Sequence, residues 1–300
     1  MVLTGNNDEL LQQLLDTLNK AFRMKDMGVL HYFLGIQAFF HDEGLFLSQE
    51  KYTLDLLVSA GMSDCAPMPT PLPLQLDKVS GQNKSFSDTT YFRSLAGKLQ
   101  YLTLTRPDIQ FAVNLICQKM HTPTEADFSL LKRILRYLKG TFQMGINLSS
   151  NTNSTLRAYS DSDWANCKET RRSTGGLCTF LGSNIISWSA KRHSTISRSS
   201  TEAEFRTMSI AATELKWISS LLDAIGHPQP SLPKLYCDNL SAVYLTVNPA
   251  LTHVPKHLMW TFIIFVKGLL MELLLSSMFQ AINNLQMSSP NPWLNNLFLT

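Results

Sequence analysis

The chain has 300 residues, of which 44% are hydrophobic and 16% are charged, and its formal net charge is +3. This composition excludes a mainly disordered chain and leaves room for about two folded domains. The small positive charge permits a nucleic-acid partner without requiring one. The five cysteines are odd in number and widely spaced, which argues against a disulfide framework or a zinc site and indicates reduced intracellular thiols.

The first sixty residues predict the order helix, strand, strand, helix. The first helix carries one apolar face and begins near Asn6, a residue type that caps helices. Gly61 ends the second helix. The members of the apolar face are Leu11, Leu14, Leu15, Leu18 and Phe22, the strands are "HYFLGIQAFF" and "LFLSQ", and the second helix is "KYTLDLLVSAGM".

Residues 65–88 are rich in proline, with Pro67, Pro69, Pro71 and Pro73 at alternate positions. Proline cannot donate to a sheet ladder, so this segment is predicted to be an extended connector. Three helices are predicted after it, in "YFRSLAGKLQYLTLT", "RPDIQFAVNLICQKMH" and "EADFSLLKRILRYLKG".

The third of these helices is amphipathic and basic. Its apolar face contains Phe128, Leu131, Ile134, Leu135 and Leu138, and its basic residues are Lys132, Arg133, Arg136 and Lys139. Such a face is either laid along a phosphate backbone or simply solvated, and the pattern alone leaves both interpretations open.

From Thr155 onward the pattern changes to short strands followed by a long helix. The strands are "TLRAYSDSDWA", "GLCTFLG" and "NIISWSAKR", the helix is "TEAEFRTMSIAATELKWISSLLDAIG", and "KLYCD" and "NLSAVYLTV" add a strand and a helix. This order predicts an α/β layer built on a mixed sheet.

Three acidic residues of this second region stand where a sheet displays its functional side chains. Asp161 closes the first strand, Glu202 opens the long helix, and Asp238 ends the fourth strand. If they converge, their carboxylates repel one another unless hard cations such as Mg²⁺ or Mn²⁺ neutralise them. Two such ions can support phosphodiester cleavage. An acid at a helix start also interacts well with the helix dipole, and Asp-Asn after a strand is also a common turn.

The second region closely resembles the ribonuclease H domain of copia-type LTR-retrotransposon Pol polyproteins, and the first resembles the end of the reverse transcriptase that precedes it. The motifs that carry the resemblance run from residue 1 to about 258. They are "LTGNN", "HYFLGIQ", "LFLSQEKYTLDLL", "LQYLTLTRPDIQFAVN", "LKRILRYLKGT", "AYSDSDWANCKETRRSTGGLCTFLGSNIISWSAKRHSTISRSSTEAEF" and "YCDNLSAVYLTVNP".

The resemblance implies a domain organisation. Residues 1–64 are a reverse-transcriptase palm remnant, 65–88 a connector, 89–150 a helical thumb-like region, 151–258 an incomplete ribonuclease H-like domain, and 259–300 an aberrant tail. The implied fold class is α/β, a ribonuclease H-like mixed sheet with flanking helices whose C-terminal strand and helices are lost.

The resemblance also implies a function, Mg²⁺- or Mn²⁺-dependent hydrolysis of the RNA strand of RNA–DNA hybrids. Asp161, Glu202 and Asp238 match three of the family's four metal-binding acids, while Asp163 and Glu204 are assigned supporting roles. Glu204 lies two residues from Glu202 and therefore on a different side of the helix.

The loop "SAKRHSTISRSS" is similar to the family's substrate-facing loop, so Lys191, Arg192 and Arg198 are candidate phosphate contacts, as are Lys132, Arg133 and Arg136 on the basic helix. Solvated charges are the alternative. Trp164 and Trp188 are interpreted as core residues, with base stacking as the alternative.

The resemblance implies as partners an RNA–DNA hybrid and the remainder of a Pol polyprotein. The implied location is intracellular, either cytoplasmic in the context of a virus-like particle or nuclear. No signal peptide opens the chain, and Lys267 and Glu272 interrupt the apolar tail below the length of a membrane span, so no membrane partner is expected. An inactive relic that at most binds nucleic acid through its basic residues is the competing interpretation.

In the family, "LTGNN" follows directly on the paired aspartates of the palm, and this chain begins immediately after that pair. Polymerase activity is therefore not expected.

The far end departs from the family after "KH" at residue 257. Met-Trp-Thr at 259–261 requires the codons ATG-TGG-ACN. When these codons are read from two bases further on, they encode Val-Asp. The same shift of frame permits the family's terminal motifs further along the chain. We therefore hypothesise a single-base deletion near codon 258. A divergent tail and a sequencing or gene-model artefact remain the alternatives. As written, the chain is expected to lack the fourth acid, which would weaken binding of the second ion and impair two-metal catalysis. It is also expected to lack the last strand, which would leave the fourth strand as an exposed edge.

Overall fold

The structure is a computed structural model that describes residues 2–22, 27–74, 76, 84–247 and 263–265. The hypothesised frameshift product at 259–300 lies outside these residues except for its short segment 263–265. Among the described helices, none has the length and apolar character needed to cross a membrane.

The first sheet is formed by a hairpin and its neighbours. Its strands run in the order β1-β2-β3-β4, all antiparallel. The predicted single strand "HYFLGIQAFF" is wrong, because Leu34 and Gly35 adopt positive φ and turn the chain between β1 and β2. The elements are α1 (Asp8–Ala21), β1 (Tyr32–Phe33), β2 (Ile36–His41), β3 (Gly44–Ser48), α2 (Glu50–Ser59) and β4 (Gly145–Ser149).

Two details of this region differ from the sequence predictions. The cap of α1 is Asn7, whose side chain accepts from the Leu10 backbone N–H, and not Asn6. The second difference is β4, which lies in the region predicted to be helical and pairs with β3. The sheet of residues 1–64 is therefore completed by a strand from about one hundred residues further along the chain.

Three helices and one 3₁₀ turn build the core of the first half. They are α3 (Thr89–Leu102), the 3₁₀ turn Pro107–Ile109, α4 (Gln110–Cys117) and α5 (Glu125–Thr141). The predicted apolar face of α5 is confirmed, since Leu131, Ile134, Leu135 and Leu138 are fully buried. Thr124 and Asp127 form a reciprocal capping box that begins α5.

Inside this helical region the guanidinium of Arg106 is buried, and its charge is paired with a carboxylate. Arg106 is 1% exposed and forms a two-pronged ion pair with Asp108, the shorter contact being 2.7 Å. Arg106 also donates to the backbone oxygen and the hydroxyl of Thr141, and the Tyr137 hydroxyl donates to Asp108. Such matching is what allows a charge to be buried.

The second half folds around a five-stranded mixed sheet in the order β7-β6-β5-β8-β9. Strand β6 is antiparallel to its neighbours β5 and β7, and β8 is parallel to β5. The predicted mixed sheet with flanking helices is confirmed. Its elements are β5 (Leu156–Asp163), β6 (Thr174–Leu181), β7 (Asn184–Arg192), α6 (Ser200–Ala224), β8 (Lys234–Cys237), α7 (Leu240–Val247) and β9 (Ile263–Phe265).

The apolar core of this half lies between α6 and one face of the sheet. It joins Leu156 and Ala158 of β5 to Met208, Ala211 and Leu215 of α6. The opposite face carries an aromatic cluster in which the rings of Tyr159 and Tyr236 stack with centroids 4.9 Å apart.

The expectation that β8 forms an exposed edge is wrong. Strand β9 pairs in parallel with β8, placing Lys234 opposite Ile263 and Tyr236 opposite Phe265. The run "FIIF" consists of apolar, mostly β-branched or aromatic residues, which favour a strand. The expected loss of the helices beyond it concerns positions outside the described residues.

Direct hydrogen bonds join the two halves. The Trp188 indole Nε1 donates to the Thr103 backbone oxygen at 3.0 Å. The Asn184 side chain also bonds the backbone of Ser149 in both directions. Strand β7 is thereby fixed against the helical region.

Candidate active site

Asp161 and Asp238 occupy matching positions on two adjacent parallel strands, Asp161 inside β5 near its carboxyl end and Asp238 directly after β8. Ser160 of β5 pairs with Cys237 of β8 in parallel register, so the next residue of each strand is one of the two aspartates. The carboxyl ends of parallel strands are where α/β sheets place their ligands. The register therefore brings these two acids to neighbouring positions.

The third acid of this group is Glu204, not Glu202. Glu204 lies on the buried face of α6 and is 5% exposed. Its Oε1 accepts from the Ser162 backbone N–H at 3.0 Å, and the same N–H donates to Asp161 Oδ1 at 2.8 Å. The Asp161 and Glu204 carboxyl groups also share a hydrogen bond.

Glu202 makes its contacts elsewhere. Its Oε2 accepts from the Arg198 backbone N–H at 2.7 Å, and its Oε1 forms a 2.6 Å ion pair with Arg206 one helical turn on. These contacts lower the pKa of Glu202, the Arg198 hydrogen bond most. The expectation that Glu202 joins Asp161 and Asp238 is wrong, because the helix turns about 200° between positions 202 and 204.

The acids that do converge repel one another. Burial first, and then the charge of Asp238, raise the pKa of Asp161 to about 6. Burial, with the charges of Asp161 and Asp238, raises the pKa of Glu204 to about 8. Groups whose pKa is displaced by burial together with specific charge partners mark functional sites more often than chance.

Cys237 adds a thiol to this cluster. Its Sγ lies 3.8 Å from Glu204 Oε2, and burial, with smaller contributions from the nearby carboxyl groups, raises the thiol pKa to about 12. Ligand atoms of Glu204, Cys237 and Asp238 all lie within 4.8 Å of one another. The cluster therefore fits a divalent cation, since it supplies hard carboxylate oxygens whose mutual repulsion a cation relieves.

Asp163, predicted to support the site, lies at the exposed end of β5. Its carboxylate interacts with the Asn166 side chain, although burial raises its pKa overall. This arrangement leaves Asp163 beside the cluster of acids rather than within it.

The three candidate phosphate contacts in the loop after β7 differ in position. Lys191 and Arg198 are exposed. Arg192 is partly buried and its Nη1 donates to Cys167 Sγ at 3.3 Å. Burial raises the pKa of Cys167, but hydrogen bonds from Thr170, and then the contact with Arg192, lower it overall. Lys191 and Arg198 are thus placed to meet a ligand, whereas Arg192 supports the loop that contains Cys167.

The basic residues of α5 hold the proline-rich connector. Arg133 Nη2 donates to Thr70 Oγ1 at 2.8 Å, and Arg136 Nε donates to the Ala66 backbone oxygen at 2.7 Å. The Lys132 ammonium lies 5.0 Å from the centroid of the Phe128 ring. One donor of Arg133 and one of Arg136 are therefore bound to the connector, which gives these two residues a structural contact beside the phosphate-binding role predicted for them.

Trp164 is 46% exposed, so its interpretation as a core residue is wrong. Its indole Nε1 donates to the Ser197 backbone oxygen at 3.0 Å. The ring therefore joins the end of β5 to the loop that precedes α6.

Helical periodicity alone identifies Glu204. The residues that follow it at helical spacing, Thr207, Met208, Ala211 and Leu215, form the buried stripe of α6. Glu202 instead shares a side with Arg206 and the exposed Ile210. Strand alternation likewise identifies Cys237, which follows Leu235 on the α6 side of β8.

Known proteins resemble both halves of the chain. A family model described as reverse transcriptase (RNA-dependent DNA polymerase) matches residues 1–73. The uncharacterized mitochondrial protein AtMg00810 of Arabidopsis thaliana is 56% identical over 220 residues, which cover 73% of this chain and 91% of that protein.

Much longer relatives cover nearly the whole described region. The retrovirus-related Pol polyprotein from transposon RE1 of Arabidopsis thaliana is 44% identical over 258 residues, 86% of this chain. The chain spans 18% of that polyprotein. The match to a solved structure of a ribonuclease H1 isolated from compost covers 45% of this chain and 99% of the ribonuclease chain. The sequence identity is 11% and the TM-score is 0.30. The identity and coverage shared with the Pol polyproteins establish the relationship: the chain belongs to the copia-type retrotransposon Pol family.

Proposed function

We propose that the second half of the chain hydrolyses the RNA strand of RNA–DNA hybrids with Mg²⁺ or Mn²⁺ held by Asp161, Glu204 and Asp238. The observation that carries this proposal is the convergence of three carboxyl groups, two with raised pKa, at the ends of adjacent parallel strands. The kinship to Pol polyproteins supports it.

The residues of the chain have distinct parts in this reaction. Asp161 is fixed within β5 and Asp238 by its place directly after β8, and Glu204 accepts a hydrogen bond from the Ser162 N–H. These carboxylates bind the cations, which supply activation of a water nucleophile and stabilisation of the leaving oxygen. Lys191 and Arg198 contact the phosphates, and 2′-hydroxyl contacts across the minor groove select RNA.

The test is hybrid cleavage by the purified chain, with a matched pair of variants in one helix. Glu204→Gln should lower the cleavage rate by at least about a hundredfold. Loss of a residue that only supports a metal ligand lowers activity by up to about a hundredfold, and loss of a ligand itself should cost at least as much. Glu202→Gln should stay within a few-fold of wild type, because it leaves the converging acids intact. Equal rates for wild type and Glu204→Gln would contradict the proposal.

The competing function is binding of nucleic acid without catalysis. The exposed side chains of Lys191 and Arg198 favour it, because they are available to phosphates whatever the state of the acids. A wild-type chain that binds hybrid in a salt-dependent manner and releases no RNA fragments in Mg²⁺ or Mn²⁺ would establish this second function in place of the first.

A further inference from the structure

Cys237 distinguishes this cluster of acids from a site built of oxygen ligands alone. The thiol belongs to the last residue of β8 and is 5% exposed. Neighbouring Tyr236 stacks its ring on Tyr159 on the opposite face of the sheet. Strand alternation therefore directs Cys237 toward α6, where Glu204 lies.

Three donors of two chemical classes meet at this point. The Cys237 Sγ and ligand oxygens of Glu204 and Asp238 lie within 4.8 Å of one another, a spacing that a single ion can bridge. Mg²⁺ takes oxygen ligands and leaves a thiol unused. Zn²⁺ and Cd²⁺ bind thiolate together with carboxylate.

We infer that Glu204, Cys237 and Asp238 form a binding site for a thiophilic divalent cation, and that its occupation excludes Mg²⁺ from the same carboxylates. On binding, the S–H bond breaks, the proton passes to solvent, and the sulfur electron pair forms the bond to the metal, with no change of oxidation state. The exclusion of a catalytic ion rests on the proposed function, whereas the binding itself does not.

The test is a Cd²⁺ titration of the full chain without nucleic acid, followed by the ultraviolet absorption of the cadmium–thiolate bond. Wild type should show a saturable absorption step that Cys237→Ser lacks. Cys178→Ser is the matched control, because Cys178 is a second thiol of the same sheet and packs against the aromatic cluster on the other face. This control should retain the step.

A second variant keeps the thiol and removes an oxygen ligand. Asp238→Asn should weaken Cd²⁺ binding by at least about tenfold, the smallest effect that loss of a metal-site partner usually has. Added Mg²⁺ should raise the Cd²⁺ concentration needed for half-saturation in wild type. An absorption step that persists in Cys237→Ser, or an unchanged affinity in Asp238→Asn, would overturn the binding site. No competition by Mg²⁺ would overturn the exclusion of Mg²⁺.

The outcomes also separate this inference from the proposed nuclease. A chain that shows the Cys237-dependent step but cleaves no hybrid contradicts only the nuclease. A chain that cleaves hybrid in Mg²⁺ and shows no such step contradicts only the thiophilic site.

Discussion

The two halves of the molecule both bury charge, and they differ in how that charge is matched. In the helical half, burial alone would lower the pKa of Arg106 and raise that of Asp108, but their ion pair reverses both shifts. In the ribonuclease H-like half, Asp161 and Glu204 face other carboxyl groups, and their pKa values are raised. Burial of charge is common to the two places, and only the second holds charges of one sign.

This difference separates a structural cluster from a functional one. Arg106 has its guanidinium bound by Asp108 and Thr141, so nothing further is needed to hold it. The Ser162 N–H donates to the carboxyl group of Glu204, but no cation of the described residues pairs with that group, and its pKa stays raised. Keeping the proton or gaining a divalent cation would relieve its repulsion by Asp161 and Asp238. A site that requires a ligand to resolve its charge is a candidate for function.

Removing one member of the matched pair should have the largest effect on stability. Arg106→Met leaves Asp108 buried without a partner, which should lower the free energy of unfolding of the helical half by about 3–5 kcal/mol. Urea unfolding followed by far-ultraviolet circular dichroism measures it. All five tryptophans follow residue 150, so tryptophan fluorescence reports the second half separately.

The control for this change is the double variant Arg106→Met/Asp108→Leu. It removes both charges and should recover a large part of the lost stability, because a buried pair contributes little beyond matching itself. A single variant as stable as wild type would show that the pair is not buried as described.

Next in size is the pH dependence of the unmatched cluster. Glu204 has a folded pKa of about 8 against an ordinary value of 4.5, so the folded chain holds a proton that the unfolded chain releases between these values. The free energy of unfolding of the second half should therefore fall as the pH rises from about 4.5 to 8.

Glu204→Gln tests this directly. It should be more stable than wild type at pH 8, by about 1–3 kcal/mol, the usual cost of an uncompensated buried polar or charged group. Near pH 4 the difference should vanish. Urea unfolding followed by tryptophan fluorescence across this range supplies the data, and a wild-type stability that rises toward pH 8 would refute the sign.

A smaller stabilisation should come from the cation itself. At a Mg²⁺ concentration ten times its dissociation constant, the second half should gain about 1.4 kcal/mol at pH 8 by mass action. The gain should be absent in Glu204→Gln if that variant no longer binds the ion. Thermal unfolding with and without Mg²⁺ measures it, and an equal gain in both proteins would place the ion elsewhere.

The smallest effect is expected at Glu202. Its ion pair with Arg206 is about one-third exposed on each side, so Glu202→Gln should cost no more than about 1 kcal/mol. The same fluorescence-monitored urea unfolding gives the value. A loss as large as that of Arg106→Met would mean that Glu202 is part of a buried network.

The strands of the second half were predictable because the residues that begin and end them are turn residues in the neighbouring sequence. The turns at Gly182 and the long apolar stripe of α6 define β6, β7 and α6 within a few residues. Strand β4 was not predictable in the same way, because its pairing with β3 depends on a partner far away in the sequence. The hairpin turn at Leu34 and Gly35 was hidden inside a continuous apolar run.

The candidate site was predictable in kind, and two of its acids were placed correctly. Asp161 and Asp238 follow from the ends of two strands. The choice between Glu202 and Glu204 depends on which side of α6 faces the sheet, and the buried stripe through Met208 and Ala211 decides it. The motif that contains both glutamates does not make that distinction by itself.

The most direct test of the account is Mn²⁺ binding to the full chain at neutral pH, measured by the electron paramagnetic resonance signal of the free ion. Wild type and Glu202→Gln should bind Mn²⁺ alike, and Glu204→Gln should bind it at least about tenfold more weakly. Unchanged binding in Glu204→Gln, or loss of binding in Glu202→Gln, would contradict this prediction.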